Sequence, residues 1–360
     1  MKNPNFQQQF QNSCLHYCFQ SWDGCGINLY SDRVEAITWC QEYHDPFFSS
    51  TDYGTKHLPP LYSYYGSTSP KSLSCLKGEK IRLFLGKKGT LTQVSEELIV
   101  IKEEQTDNLY ALTPQGQYAW FPYVTQDSFR QPARIIRERL IGCQMAEGTL
   151  KLHGGVAFIE GHAYLIFGPK GAGKTSTIFQ LLRAGTKEFC ANDRVLVKTV
   201  ENRLICYGLP ISVRIGRDLI DWFPELSFFI ADYPNRSKLN FHFPSIDGSP
   251  EKFEFTPQEL AQMLQLLIVT HAQVQGVLIP ELVRTQKPIR ITEVPVPTRR
   301  ALLEDNLLTK DPAFPPVFLD QAYGEISNST VARLVELPWY KISGCFSDER
   351  LTEQLKMLLH

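Results

Sequence analysis

The chain has 360 residues, a net charge of −1, 43% hydrophobic and 21% charged residues. That length accommodates two domains with a sizeable core, and the composition is that of a globular chain. A near-zero charge offers no broad field for nucleic acid or anionic lipid, and no apolar run approaches the roughly 18 residues of a membrane span, so neither partner is expected.

Met1 to Asn12 is polar and glutamine-rich, without the apolar core of a signal peptide, so a cytoplasmic setting is expected. The nine cysteines, an odd number scattered along the chain, read as reduced thiols rather than a disulfide framework. Cys14, His16, Cys18 and Cys25 are close enough to be weighed as zinc ligands. Their spacing matches no common ribbon or finger, and thiols beside apolar surface are the plainer reading.

Residues 1–133 show little helical periodicity. His44 to Ser74 is rich in Pro, Gly, Ser and Tyr and reads as loops, while Ile81–Leu85, Glu97–Ile101 and Tyr118–Phe121 read as strands. A small β-rich domain is expected, with substrate recognition as its role. Ala133 to Met145 carries apolar residues near helical spacing, and Arg134, Arg137 and Arg139 are expected on a solvated face rather than at a phosphate. The boundary is placed near Gln131-Pro132, leaving residues 134–360 as the second domain.

Val156–Ile159 and Ala163–Phe167, joined at Glu160-Gly161-His162, predict a hairpin. The stretch that follows, Gly168-Pro169-Lys170-Gly171-Ala172-Gly173-Lys174-Thr175, fits the phosphate-loop pattern G-x-x-x-x-G-K-[ST]. Its spacing lets the backbone curl round a phosphate, its glycines allow close approach, and a following helix offers its N-terminus to an anion. Lys174 would reach the β- and γ-phosphates, the Thr175 hydroxyl would ligate Mg²⁺, and Ser176 follows in the first turn. Thr175 to Arg183 predicts that helix, with Ile178, Phe179, Leu181 and Leu182 apolar and Gly185 as its stop.

Phe189-Cys190-Ala191 predicts a strand beside the loop strand, with Asp193 at its C-terminal end facing the phosphates; pairing with Arg194 is the alternative. Residues 195–200 and 204–207 predict a second hairpin, so a mixed sheet is expected. Thr256-Pro257-Gln258-Glu259 starts a helix with Leu260, Met263, Leu264, Leu267 and Ile268 on one face. Ala272–Ile279 reads as a strand, residues 285–330 stay unassigned, and Ser347–Leu359 reads as a closing helix capped by Ser347 or Asp348.

Phosphoryl transfer needs a carboxylate for Mg²⁺, positive charge and a group that positions the nucleophile. Asp193 is the best carboxylate. His153, fifteen positions before Gly168, is brought toward the loop by the hairpin and could handle a proton; a structural histidine is the alternative. Lys170, Arg194, Arg214 and Arg217 are candidate cations, with surface ion pairs the alternative for Arg214 and Arg217. Tyr233–Phe241 mixes basic and aromatic residues and is a candidate lid or substrate contact.

Leu152-His153-Gly154-Gly155-Val156, the loop, and Ala191-Asn192-Asp193-Arg194-Val195 together resemble the core of the HPr kinase/phosphorylase family, over Leu150 to Tyr207. That family pairs a short H-G motif with a phosphate loop at this distance and an A-D-D-R-V strand end. The resemblance implies an α/β fold: a P-loop kinase core with a mixed sheet, related to the phosphoenolpyruvate carboxykinase nucleotide domain. The smaller β-rich N-terminal domain would precede it. It also implies ATP and Mg²⁺ as cofactors and phosphorylation of a hydroxyl. The acceptor in the best-known members is a serine of a small protein, and in relatives from peptide natural-product pathways a precursor peptide. By that carry-over His153 stands near the transferred phosphate, Lys174 and Thr175 keep their roles, and Asp193 takes the second acidic position.

Two departures matter. The first aspartate of the family's pair, its usual catalytic base, is Asn192, and an amide cannot accept the proton. The family's glutamate-arginine-glycine-leucine-glycine stretch corresponds to Ile205–Pro210, without glutamate or arginine, so phosphorylase activity and HPr as substrate are not expected. The expected function is ATP-dependent phosphorylation of a hydroxyl on a peptide or small protein, with homo-oligomerisation open. A small-metabolite kinase and a non-catalytic nucleotide-binding module are the alternatives. No N-K-x-D or L-S-G-G-Q motif supports a GTPase or a transport ATPase.

Overall fold

The computed structural model describes residues 16–51, 56–66, 73, 77–83, 87–232, 242–243, 251–283, 287–308, 316–319, 324–345 and 350–359. The chain divides into two units, Met1–Glu147 with Lys310–Gly324 and Gly148–Thr309 with Glu325–His360.

The first unit is built on β1 (His16–Trp22), β2 (Cys25–Ser31), β3 (Lys56–His57), β4 (Leu61–Tyr65), β5 (Glu79–Arg82), β6 (Lys88–Ser95), β7 (Leu98–Glu103), β8 (Leu109–Thr113) and β9 (Gly116–Phe121), with helices α1 (Val34–His44) and α2 (Gln126–Ala146). The strands run in the order β1-β2-β4-β9-β8-β7-β6-β5, with β3 beside β2. Leu61–Tyr65 lies inside a stretch expected as loops. It is instead a wholly buried strand between β2 and β9. The tyrosines that suggested loops are its packing: Tyr62 stacks between Tyr30 and Tyr118, with centroids 5.1 and 4.9 Å away. Helix α1 was not foreseen either, although Val34–His44 buries Ala36, Ile37, Cys40, Tyr43 and His44 at helical spacing.

Helix α2 corrects the sequence reading twice. It starts at a Thr125–Ser128 capping box, runs through Pro132, and belongs to the first unit, so the division falls at Glu147/Gly148 rather than near Gln131-Pro132. It packs on α1 and β2. Its arginines face inward: Arg130, Arg134, Arg137 and Arg139 are all buried, as is Glu138, which accepts from Arg137 Nε and Nη2 at 2.9 and 2.8 Å. Burial pushes the Arg134 guanidinium down to about 9, with Arg130 and Arg137 adding repulsion. The thiol reading is also corrected. Cys25 on β2 and Cys143 on α2, 118 residues apart in sequence, form a disulfide. Cys25 is taken up by that disulfide, Cys18 is buried and Cys14 lies outside the described residues; among the described residues no group of three or more His, Cys, Asp or Glu is placed to hold a metal.

The second unit contains β10 (Leu150–His153), β11 (Gly155–Ile159), β12 (His162–Ile166), α3 (Lys174–Arg183), β13 (Glu188–Phe189), β14 (Arg194–Val200), β15 (Arg203–Tyr207), β16 (Val213–Gly216), α4 (Arg217–Ile220), α5 (Pro224–Ile230), β17 (His242–Phe243), β18 (Lys252–Phe255), α6 (Pro257–Leu264), β19 (Leu267–Ile268), β20 (His271–Val283), β21 (Arg290–Glu293), α7 (Val296–Glu304), α8 (Asn328–Glu336), β22 (Trp339–Cys345) and α9 (Arg350–Leu359). Its main sheet runs β10-β14-β15-β20-β12-β11, with β22 beside β20 and β21 beside β22. β20 is parallel to β12 and β22, and the other pairings are antiparallel, so the fold is mixed α/β. Two-residue turns at Glu160-Gly161 and Glu201-Asn202, all at positive φ, close the two expected hairpins. Alternate side chains of β11 and β12 feed two different cores, Val156, Phe158 and Leu165 into one and Ala157, Ile159 and Ile166 into the other. Both faces of the sheet are therefore covered.

Three local expectations change here. Phe189 ends a two-residue strand that pairs with β19, so no strand runs from it beside β12. Leu267 and Ile268, expected on a helix face, belong to β19, because Gln265 at φ 53° ends α6 first. The unassigned stretch contains β21, α7 and the start of α8. Ser347 and Asp348, the expected caps of the last helix, lie outside the described residues, as does Tyr233–Phe241.

Candidate functional site

The loop leaves β12 and is held by backbone. Leu282 N–H on β20 donates to Ala172 O at 3.0 Å, and Gly173 lies so close to Leu282 that a Cβ there would sit 2.8 Å from the leucine Cβ. Gly168, Gly171 and Gly173 take φ of 140°, 87° and 101°, a run that side-chain-bearing residues rarely adopt. Gly173 is the N-cap of α3 and brings no side chain to the first-turn N–H groups, which are thus left to a ligand or to water. Lys174 Nζ donates back to Gly168 O at 2.5 Å and to Pro169 O at 3.2 Å, closing the loop on itself. Pro169, Lys170 and Gly171 are exposed, and Ala172, Thr175 and Ser176 are half-buried.

Strand register brings His153 and Asp193 together. His153 on β10 lies opposite Arg194 on β14. Next to that pair, Gly154 N–H donates to Asp193 O at 3.0 Å and Val156 N–H to Ala191 O at 2.8 Å. Asp193 thus enters at the start of β14, beside the β10–β11 junction, and not from a strand end next to the loop strand. The glycine pair permits this approach: a Cβ on Gly154 would meet Ile166 O at 2.6 Å, and one on Gly155 would meet Ile178 Cδ1 at 2.7 Å.

The Asp193 carboxylate lies 3.7 Å from His153 Nε2 and 3.7 Å from Arg194 Nε, and its side chain is half exposed. Neither contact is a hydrogen bond, so the carboxylate keeps acceptor capacity. Partial burial and then the Lys174 ammonium push His153 below its ordinary range, against the opposing pull of Asp193. Burial lowers Lys174 too, and Asp193 offsets part of that. Beside them, the Asn192 Oδ1 is buried with no hydrogen-bond partner among the described residues.

His153, Asp193 and Arg194 therefore lie together, within electrostatic reach of Lys174 in the loop. Arg214 is held by another carboxylate. It sits on β16, in a separate sheet with β17 and β18, where its Nε pairs with the buried Glu254 at 3.3 Å. Arg217 pairs with Glu251 at 3.3 Å and lies over the Phe253 ring. The sequence reading passed over Asn306. Its Oδ1 accepts from Gly168 N–H at 3.3 Å and its backbone oxygen accepts from His153 N–H at 2.8 Å. Its contact with Gly168 spans 138 residues and no motif marks it, so only the fold could reveal it.

The donor set fits a magnesium-bound nucleoside triphosphate: an uncapped helix start, positive-φ glycines, an ammonium, a hydroxyl in the first turn, and an open carboxylate. Among the described residues no helix is long and apolar enough to cross a membrane. No protein-family model matches the chain. No curated protein matches it. Among solved structures it is similar to the Hpr(Ser) kinase/phosphatase from Coxiella burnetii, at 16% identity over 58% of this chain and 93% of that one, with a TM-score of 0.26.

Proposed function

We propose that the second unit is an ATP-dependent phosphotransferase of HPr kinase type that acts on a hydroxyl of a peptide or small protein. The observation that supports it best is the meeting of His153, Asp193 and Lys174 beside a glycine loop that opens a helix. Magnesium, when bound, neutralises charge on the transferring phosphate; Thr175 and Asp193 are the residues that would hold it. Lys174 leaves Gly168 O and Pro169 O for the phosphate oxygens. The loop N–H groups fix the phosphates, and Arg194 adds positive charge beside Asp193.

His153 is the proton acceptor in this reading. Held below its ordinary range, it is neutral near pH 7 and can take the proton of the acceptor hydroxyl. Asn192, an amide whose Oδ1 is buried, cannot do so. The same amide favours the second reading, a nucleotide-binding module without catalysis.

Incubation with γ-labelled ATP, Mg²⁺ and candidate peptides separates the two. Label should move to a peptide hydroxyl, and the transfer should be lost in Lys174→Ala and Asp193→Ala. Tight ATP binding with neither transfer nor hydrolysis would replace the kinase with the module.

A further inference from the structure

Asn306 is almost wholly buried, 6% exposed, although it carries a primary amide. A buried amide without partners is costly, so its bonds say what it is there for. Its Nδ2 donates to Leu302 O at 2.7 Å, fixing the side chain against the last turn of α7. Its Oδ1 then faces Gly168 N–H, the first amide of the glycine loop, at 3.3 Å. Its main chain faces the other way, and its carbonyl accepts from His153 N–H at 2.8 Å. The two following residues continue along β10: Leu307 bridges Leu152, and Leu308 N–H donates to Lys151 O at 2.8 Å. β10 is thereby held between β14 on one side and residues 306–308 on the other.

One residue thus bonds both halves of the site, the base of the loop through its side chain and the strand of His153 through its backbone. Gly168 at φ 140° cannot be anchored by a side chain of its own, and its N–H is turned to Asn306. We propose that Asn306 is a positioning residue that sets the glycine loop in place against His153, so that phosphates held by the loop arrive beside the histidine. This rests on the phosphotransferase reading for its chemistry but not for its geometry. Removing the side-chain oxygen frees the loop base and leaves the His153 backbone bond in place. Nucleotide binding should therefore suffer more than turnover of bound nucleotide.

The test compares Asn306→Ala with Asn306→Asp, which keeps an acceptor oxygen. Three readouts are needed: amide hydrogen exchange at Gly168, the KM for ATP against kcat in phosphate transfer, and the melting temperature. In Asn306→Ala, Gly168 exchange should quicken about tenfold, KM for ATP should rise about tenfold, and kcat should change about threefold or less. Asn306→Asp keeps the acceptor but loses the bond to Leu302 O, so it should quicken Gly168 exchange less than Asn306→Ala does. Unchanged Gly168 exchange in Asn306→Ala, or equal exchange in the two variants, would overturn the proposal. So would a fall in kcat with KM unmoved. If the wild-type protein binds no ATP, the phosphotransferase reading fails, and Gly168 exchange still decides whether Asn306 anchors the loop.

Discussion

Helix α2 of the first unit and the loop site of the second hold their polar groups in opposite ways. The first unit encloses them. Arg130, Arg134, Arg137, Arg139 and Glu138 line the buried length of α2. His44 is buried, meets Cys40 Sγ through Nδ1 at 3.5 Å, and bonds Ala133 O through Nε2 at 3.0 Å. Lys87 reaches the buried Glu103 at 2.8 Å. The second unit leaves Asp193 half exposed, with its two partners beyond hydrogen-bond distance, and leaves the start of α3 uncapped. Buried polar groups packed against one another help specify a structure; loosely held, half-open ones remain available to a ligand. Chemistry is therefore expected at the loop of the second unit, and stability from the interior of the first.

Substitutions can break this contrast. The largest effect should come from Lys174→Ala, which removes the ammonium over the phosphates and should cut phosphate transfer by about a hundred- to a thousand-fold. Its melting temperature should stay close to the wild type. A large drop in melting with transfer retained would mean that Lys174 works as a loop clamp and nothing more. His153→Ala should cost roughly a hundred-fold or more in turnover. Because His153 is pushed down by burial and by Lys174, the acid limb of the wild-type kcat/KM, which reports the free protein, should lie below the ordinary histidine value of 6.5. An acid limb that survives in His153→Ala assigns the proton to another group.

The opposite pattern should hold in the first unit. Glu138→Leu leaves the buried arginines of α2 without that carboxylate and should lower stability by about 3–5 kcal/mol, while the KM for ATP stays within about twofold. Cys143→Ser opens the link to Cys25 and should lower stability by about 2–5 kcal/mol, for the same reason without touching nucleotide binding. A mild melting change in both would place the stability of this unit in its stacked sheet instead.

The smallest effect expected is a pH slope. Burial holds His44 down at about 3 against an ordinary 6.5. Between those values the unfolded chain binds a proton that the folded one does not, so this contribution is complete above pH 6.5 and is lost as pH falls toward 3. Melting should drop from pH 7.5 to pH 5, and less steeply in His44→Gln. Equal drops would exclude His44 as the cause.

Local signals carried much of the second unit. Gly168–Thr175 needs only its own backbone to be recognised, and the two hairpins are closed by their own turn residues. His153 and Asp193 stand out in the sequence by a spacing round the loop that resembles a known core, but the β10–β14 pairing that brings them together is not the hairpin expected. What the sequence hid was non-local. Tyr62 and Tyr64 look like loop residues until cross-strand partners cover them. Arg134, Arg137 and Arg139 read as a solvated stripe because burial depends on what packs against α2, which charge pattern alone does not encode. Asn306 and Arg214 fail for the same reason in opposite directions. One is drawn into the site by the turn after α7. The other sits on β16, where the buried Glu254 pairs with it.

The most direct measurement is the titration of His153 by NMR, with and without ATP. In the free protein its midpoint should lie below 6.5. Saturating ATP places phosphate anions beside the ring and should raise that midpoint by about one unit or more, while His44 does not move. A His153 midpoint unchanged at saturating ATP would contradict a phosphate site beside it, and with it the assignment of chemistry to the second unit.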